Sequence, residues 1–173
     1  IGAIEKFINE YALAHGAGQI PLAPPNGKRV AVVGAGPGGL ACADVLSQLG
    51  YSVTVFESQM LPGGLLLFGI PAFKLGKEVV ERRVNILKQQ RVEFKVGVTV
   101  GKDIGLDGLL KEYQSVFLGI GALKPKALDV PGAELKNVLQ GLPFLAQKNA
   151  PISLGLPPVE VKGKRVVVLG GGD

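Results

Sequence analysis

Cysteine and histidine are almost missing from this chain: Cys42 and His15 are the single examples of each among 173 residues. One thiol forms no internal disulfide and cannot by itself ligate an iron–sulfur cluster, which usually takes four thiolates. Cys42 sits among small residues in a helical stretch and reads as a packing residue. His15 has no second His and no Cys beside it, so no metal site is expected. Tryptophan is absent and aromatic residues make up 6% of the chain, which leaves no stacking platform for nucleic acid. The longest apolar stretch, residues 65–73, is broken by Gly69 and Pro71 and falls far short of the roughly 20 residues that span a bilayer. No secretory signal is visible, and a cytoplasmic location with no membrane partner is expected. The net charge of +5 comes from dispersed Lys and Arg rather than from a run. That reads as a solvated surface first and a weak preference for an acidic partner second. Without a nucleophile, base or metal constellation, any chemistry is expected to belong to a bound cofactor.

What is abundant is glycine, 26 residues, beside 47% hydrophobic content. Glycine marks an internal repeat. The segment Gly27-Lys-Arg-Val-Ala-Val-Val-Gly-Ala-Gly36 returns as Gly163-Lys-Arg-Val-Val-Val-Leu-Gly-Gly-Gly172, identical at seven of ten positions. Each copy reads as a basic turn, a short apolar strand and the glycine pair that opens a dinucleotide-binding loop. Two copies point to a protein built to hold two dinucleotides, as when a flavin takes hydride from a nicotinamide. The chain reaches Asp173 just after the second glycine group, so one whole site and the first strand of another are expected.

The first copy carries every part of the fingerprint in order. Val30 to Val33 is an unbroken apolar run, as in a central parallel strand buried on both faces. Gly34-Ala35-Gly36-Pro37-Gly38-Gly39 supplies G-x-G-x-x-G. Its first glycine allows the tight turn, its second leaves room for a pyrophosphate, and its third lets the next helix pack close to the sheet. Residues 40–49 read as that helix, with Gly50 closing it and its N-terminal amides facing the phosphates. Tyr51 to Phe56 reads as a second strand, followed by Glu57. An acidic side chain there accepts both hydroxyls of an adenosine ribose, whereas a 2′-phosphate would be repelled. FAD or NAD is therefore expected in preference to NADP, and the residues alone do not choose between those two.

The remaining pattern predicts a doubly wound, Rossmann-like parallel α/β sheet. An amphipathic helix over residues 2–14, with Ile4, Phe7, Ile8 and Tyr11 on one face, must cover something apolar, and its start at Ile1 implies a natural N-terminus upstream. Residues 1–25 are expected to form this helix and a Pro-rich linker, 26–150 the dinucleotide-binding domain, and 151–173 a connector and the opening strand of a second, truncated unit. Within the domain, 78–91 is expected as a helix, 92–100 as a third strand region, 106–112 as a short helix and 116–121 as a fourth strand. Gly119 and Gly121 end that strand, either as a plain turn or as a close approach to the far side of the dinucleotide. Gly63 and Gly64 offer amides to a ligand, and the apolar residues after them suit a flat ring system. The exposed strand 165–169 is expected to pair with its own sheet or with a neighbouring molecule's.

The runs GKRVAVVGAGPGGLACADVLSQLGYSVTVFES, LPGGLLLFGIPAFKL, VFLGIGALKPKALDVPGAE and KGKRVVVLGGGD resemble the small (β) subunit of NADPH-dependent glutamate synthase and its relatives. The flavin-binding part of dihydropyrimidine dehydrogenase is similar at greater distance. The resemblance covers nearly the whole chain and implies FAD at the first site. It places Gly34, Ala35, Gly36, Pro37, Gly38 and Gly39 at the pyrophosphate, Glu57 at the ribose and Gly64 and Leu65 near the flavin. Lys74 stands at a basic position of the family, and Val98 where a backbone group meets adenine; Gly121, from the pattern above, is kept as a cofactor-binding candidate. Gly170, Gly171, Gly172 and Asp173 would begin an NADPH site. It also implies electron flow from NADPH through FAD to iron–sulfur clusters outside this chain, with the large glutamate synthase subunit or a similar acceptor as partner. The alternatives are the flavin domain of another pyridine-nucleotide reductase and a non-catalytic reductase-like binding subunit. Gly38 stands where Ala is commoner. The family's N-terminal cysteine clusters, the rest of its NADPH domain and its C-terminal return are not in this sequence, so the chain alone is expected not to oxidise NADPH.

Overall fold

A computed structural model describes residues 1–16, 21–122, 124–149 and 159–170. Its centre is a four-stranded sheet of β1 (Arg29–Val33), β2 (Ser52–Glu57), β3 (Glu93–Val96) and β4 (Ser115–Leu118), in the order β3-β2-β1-β4. Every pairing is parallel, with Val30 opposite Val53 and Ser115, and Val33 opposite Phe56 and Leu118. β1 is buried from Val30 to Val33 because it has a neighbour on either side and helices on both faces.

Side chains alternate across the sheet, as the period of two requires. Val32, Val53 and Val55 point to one face and pack with Leu40 and Ala43 of α2 (Pro37–Gln48) and with Val84 and Leu87 of α4 (Lys77–Gln89). Ala31, Val33 and Phe56 point to the other and meet Leu109 of α5 (Leu106–Glu112) and Tyr113. Helices therefore cover both faces, which is the doubly wound arrangement expected. Cys42 packs against the first of these clusters, and burial raises its thiol above the ordinary value. The chain runs outward from β1 through β2 to β3 and then returns to β4 on the opposite side of β1. That reversal opens a crevice at the C-terminal ends of β1 and β4, where ligands bind in sheets of this kind.

Element ends differ from expectation for local reasons. α2 begins at Pro37, not Leu40, because proline is preorganised for the first helical position, so half of the fingerprint lies inside the helix. β2 includes Glu57, β4 stops at Leu118, and β3 stops at Val96, where Gly97 turns the chain with φ of 70°. Two helices were not foreseen: the single turn α3 (Leu65–Phe68), hidden in a Gly- and Pro-rich stretch, and α6 (Gly141–Asn149). The N-terminal helix α1 (Gly2–Ala14) forms, but it covers nothing: none of its residues is buried. Ile4, Phe7, Ile8 and Tyr11 are all exposed, and the helix is tied to α4 by the bidentate Glu10–Arg82 pair. Residues 165–169 do not form the strand expected of them. They pair with no strand of this sheet and are exposed, as an isolated strand without a covering layer must be. Among the described residues, no helix is long and apolar enough to cross a membrane.

α2 and α4 end in the same way. Tyr51 donates to the Leu46 carbonyl and Gly50 to that of Ser47; Val92 donates to Leu87 and Arg91 to Lys88. Both closures require a left-handed residue just past the helix. The first uses Gly50, but the second uses Arg91 with φ of 69°. Arg91→Gly should therefore stabilise the fold by about 0.5–1 kcal/mol, since only glycine takes that conformation without a Cβ penalty. Urea unfolding measures this, and a lower midpoint in the variant would refute it.

Candidate dinucleotide site at the first glycine turn

The glycine turn follows β1 directly, and its glycines fall into two groups. Gly34 has φ of 97°, and its amide donates to the Phe56 carbonyl at 2.7 Å. A Cβ there would stand 2.4 Å from the Gly119 carbonyl oxygen, and one on Gly39 would stand 1.8 Å from the Gly34 carbonyl oxygen. The chain's own packing demands both. Gly36 and Gly38 have no such reason: a Cβ on either would meet nothing within 4 Å. Gly36 is also in ordinary extended backbone (φ −74°, ψ −177°) and is the N-cap of α2, with no side-chain cap hydrogen bond. The first turn of a twelve-residue helix thus offers its amides and positive dipole end beside an open surface.

Glu57 ends β2 next to this turn and is buried, 7% exposed. Its Oε2 accepts from the Ala35 amide at 2.7 Å. Its Oε1 accepts from the Gln59 amide at 2.8 Å and from the Ser58 hydroxyl at 3.1 Å. An ionised carboxylate has about four acceptor positions, so the protein fills three and one remains on Oε2. The chain's own donors thus use most of the acceptor capacity that the sequence reading reserves for the two ribose hydroxyls. The Glu57 backbone carbonyl accepts the Val98 amide at 2.9 Å. The Val98 amide is therefore used within the chain itself.

The segment after β2 folds back onto the turn. The Gly63 amide donates to the Ala35 carbonyl at 2.8 Å, so it is not the ligand donor expected of it. Gly64, with φ of 51°, approaches so closely that a Cβ would lie 2.7 Å from the Gly36 Cα. Leu65 follows as the first residue of α3 and is half-exposed. Lys74 is exposed on the turn beyond. The lysine that the structure uses is Lys77, which sequence reasoning missed: its ammonium donates to the carbonyls of Leu66 (3.2 Å) and Ile70. Burial lowers its pKa from the ordinary value. No pattern in the sequence marks it, because the carbonyls it meets belong to the single turn α3 and the residues just after it, which carry no helical signature.

Gly119 continues the β4 pairing by donating to the Val33 carbonyl at 2.8 Å, and so lies against the turn. The close approach that Gly119 makes is to the backbone of Gly34, within the chain itself. Gly121, with φ of 71°, lies just past the crevice, where a Cβ would meet nothing within 4 Å. Gly170 has φ of 106°, and a Cβ there would also meet nothing. Gly171, Gly172 and Asp173 lie outside the described residues. A cavity of about 320 Å³ at the opposite end of the strands, lined by Leu22, Pro25, Tyr51, Gln90 and Arg91 among others, is remote from all of these groups.

The two classes of glycine should separate on substitution. Gly39→Ala drives a methyl into the Gly34 carbonyl and should cost at least 1–3 kcal/mol, as overpacking does. Gly36→Ala meets open space and should change stability by less than about 1 kcal/mol, the scale of an N-cap exchange. Chemical denaturation of the two variants measures both, and equal losses would abolish the distinction.

Comparison with known proteins agrees with this geometry. A family model described as pyridine nucleotide-disulphide oxidoreductase matches residues 28–173. The glutamate synthase [NADPH] small chain of Escherichia coli K12 is 44% identical over 100% of this chain, which spans 38% of that protein. The corresponding small chain of Halomonas elongata is 43% identical, again with 38% of its length spanned. The putative oxidoreductase UacF of E. coli K12 is 42% identical, with 28% spanned. Among solved structures, 2-naphthoyl-CoA reductase in complex with 2-naphthoyl-CoA superposes with a TM-score of 0.60 at 25% identity. That match covers 74% of this chain and 19% of that one. FprA of Mycobacterium tuberculosis in complex with NADPH gives 0.63 at 24% identity, covering 72% and 29%, and shows a shared fold. With the fingerprint turn, the parallel sheet and the family match all falling on the same residues, this chain belongs to the pyridine nucleotide-disulphide oxidoreductase family.

Proposed function

We propose that this chain is the FAD-binding part of an NADPH-dependent flavoprotein oxidoreductase of the glutamate synthase small-chain type. The observation that carries the reading is Gly36: ordinary backbone, no neighbour within 4 Å of a Cβ, and an uncapped helix N-terminus beside it. A pyrophosphate uses both features, the bare backbone for close approach and the helix amides for its charge. The amides of Gly38 and Gly39 hold the pyrophosphate, with Gly36 leaving the room, and Pro37 fixes the helix start. The remaining acceptor position on Glu57 takes an adenosine ribose hydroxyl, and the Val98 carbonyl lies beside the adenine. Gly64, Leu65 and Gly121 border the side from which the isoalloxazine ring is approached, and exposed Lys74 adds positive charge near it. When bound, FAD supplies two-electron chemistry with a nicotinamide. The chain supplies orientation and electrostatics and no nucleophile.

In the proposed whole protein, Gly170, Gly171, Gly172 and Asp173 open the NADPH site. Residues 26–150 form the FAD domain, with 151–173 leading into the nicotinamide unit. Electrons leave for iron–sulfur clusters outside this chain and for a large glutamate synthase subunit. The small chains at 43–44% identity favour that acceptor. UacF at 42% keeps another acceptor as the second reading, and glutamate formation on mixing with a large subunit separates the two.

FAD titration followed by flavin fluorescence tests the site. The unaltered chain should bind one FAD. Gly36→Ala should weaken binding at least tenfold while losing less than about 1 kcal/mol of stability. Glu57→Ala should lose about 1.5–3 kcal/mol of binding, the scale of a charge-assisted hydrogen bond. Undiminished affinity in the Gly36 variant would remove the pyrophosphate from this turn.

A further inference from the structure

α3 is a single helical turn of four residues, Leu65–Phe68, too short to persist without outside support. Its entry is pinned to the glycine turn by the Gly63 amide on the Ala35 carbonyl (2.8 Å) and by the close packing of Gly64 against Gly36. Its exit is held by two donors from other helices. The Lys77 ammonium, at the start of α4, reaches the carbonyls of Leu66 and Ile70. The Asn149 side-chain amide, at the end of α6, donates to the Phe68 carbonyl at 2.8 Å. These are carbonyls that a helix end leaves without intrahelical partners, and a cation is the favourable donor there. Lys77 is partly buried, so its two carbonyl bonds stand in for the water it has lost. Phe68, buried at 6%, is the apolar anchor of the same turn. The segment from Gly63 to Ile70 is thus a flap lying against the glycine turn, with its register set from α4 and α6.

We propose that Lys77 is a positioning residue for the dinucleotide site: its ammonium fixes the flap Gly63–Ile70 against the glycine turn and so sets how firmly a bound dinucleotide is held. This rests on the reading of the turn as a FAD site, although the clamp itself does not. In this proposal Lys77 acts on the site through the backbone of Leu66 and Ile70. Lys77→Met keeps the length and apolar stem and removes the donor. Lys77→Arg restores a cation with several donors.

Hydrogen–deuterium exchange of residues 65–70 and FAD titration, on the full chain with Lys77→Met and Lys77→Arg, test this. The expected result is exchange at least tenfold faster across the flap in Lys77→Met, FAD binding at least tenfold weaker, and an unfolding midpoint close to that of the unaltered chain. Lys77→Arg should recover most of both losses. Unchanged flap exchange in Lys77→Met overturns the clamp, whatever FAD does. Faster exchange with undiminished FAD affinity overturns its role at the site. A general loss of stability that Lys77→Arg does not rescue overturns it in favour of a merely structural lysine. Absence of FAD binding by the unaltered chain would sink the reading of the site, while the exchange arm would still decide the clamp.

Discussion

The arrangement depends on one constraint, the approach of three backbone segments to near-contact at the end of β1. The Gly34 carbonyl lies where a Cβ of Gly39 would be, and the Gly119 carbonyl lies where a Cβ of Gly34 would be. No side chain fits between them. This closeness lets α2 start directly above the sheet, so that its uncapped first turn looks over the crevice between β1 and β4. It also brings the end of β2 near enough for the Glu57 carboxylate to accept the Ala35 amide. The position of α2 over the sheet and the placement of the Glu57 carboxylate both depend on residues that are small by necessity.

Glu57 has two tasks in this arrangement. A buried carboxylate must be hydrogen-bonded to be tolerated, and the three donors it meets are a turn amide, its own neighbour's hydroxyl and an amide two residues on. These bonds lock the loop after β2 onto the loop after β1. The same bonds keep the charge fixed at the crevice with one acceptor position left. In the proposed site, structural and ligand-directed roles fall to different lone pairs of this one side chain, so a substitution at Glu57 tests both at once. A Cβ added at Gly36 would meet nothing within 4 Å, which makes its substitution the cleaner probe.

Much of this was legible in the sequence. The Val30–Val33 run, the spacing of Gly34, Gly36 and Gly39 and the acidic residue at the next strand end specify a βαβ unit and its ligand side, because each is a local requirement of the turn. α4 was legible from its periodicity: Val80, Val84 and Leu87 are buried as their spacing demands. What could not be read depends on contacts between distant residues. α3 is stabilised by Lys77 and Asn149, and neither shows in a Gly- and Pro-rich stretch of apolar residues. α6 has a weak pattern, and its links run to α3 and to Val159. β3 is shorter than its apolar alternation suggests because Gly97 turns the chain towards Gln59. For α1 and for residues 165–169 the local character was correctly apolar, but hydrophobicity alone does not name the surface that covers it.

The tie between α1 and the domain has a consequence for behaviour in solution. Arg82 and Glu10 hold each other in a two-point bond, with both side chains more than two-fifths exposed and with no buried residue of α1 behind them. An exposed pair of this kind contributes little and weakens as salt rises. α1 is thus held far less firmly than the sheet beneath it, which apolar burial holds. Raising the ionic strength should loosen the hold on α1, and with it on Ile4, Phe7, Ile8 and Tyr11, without loosening a strand.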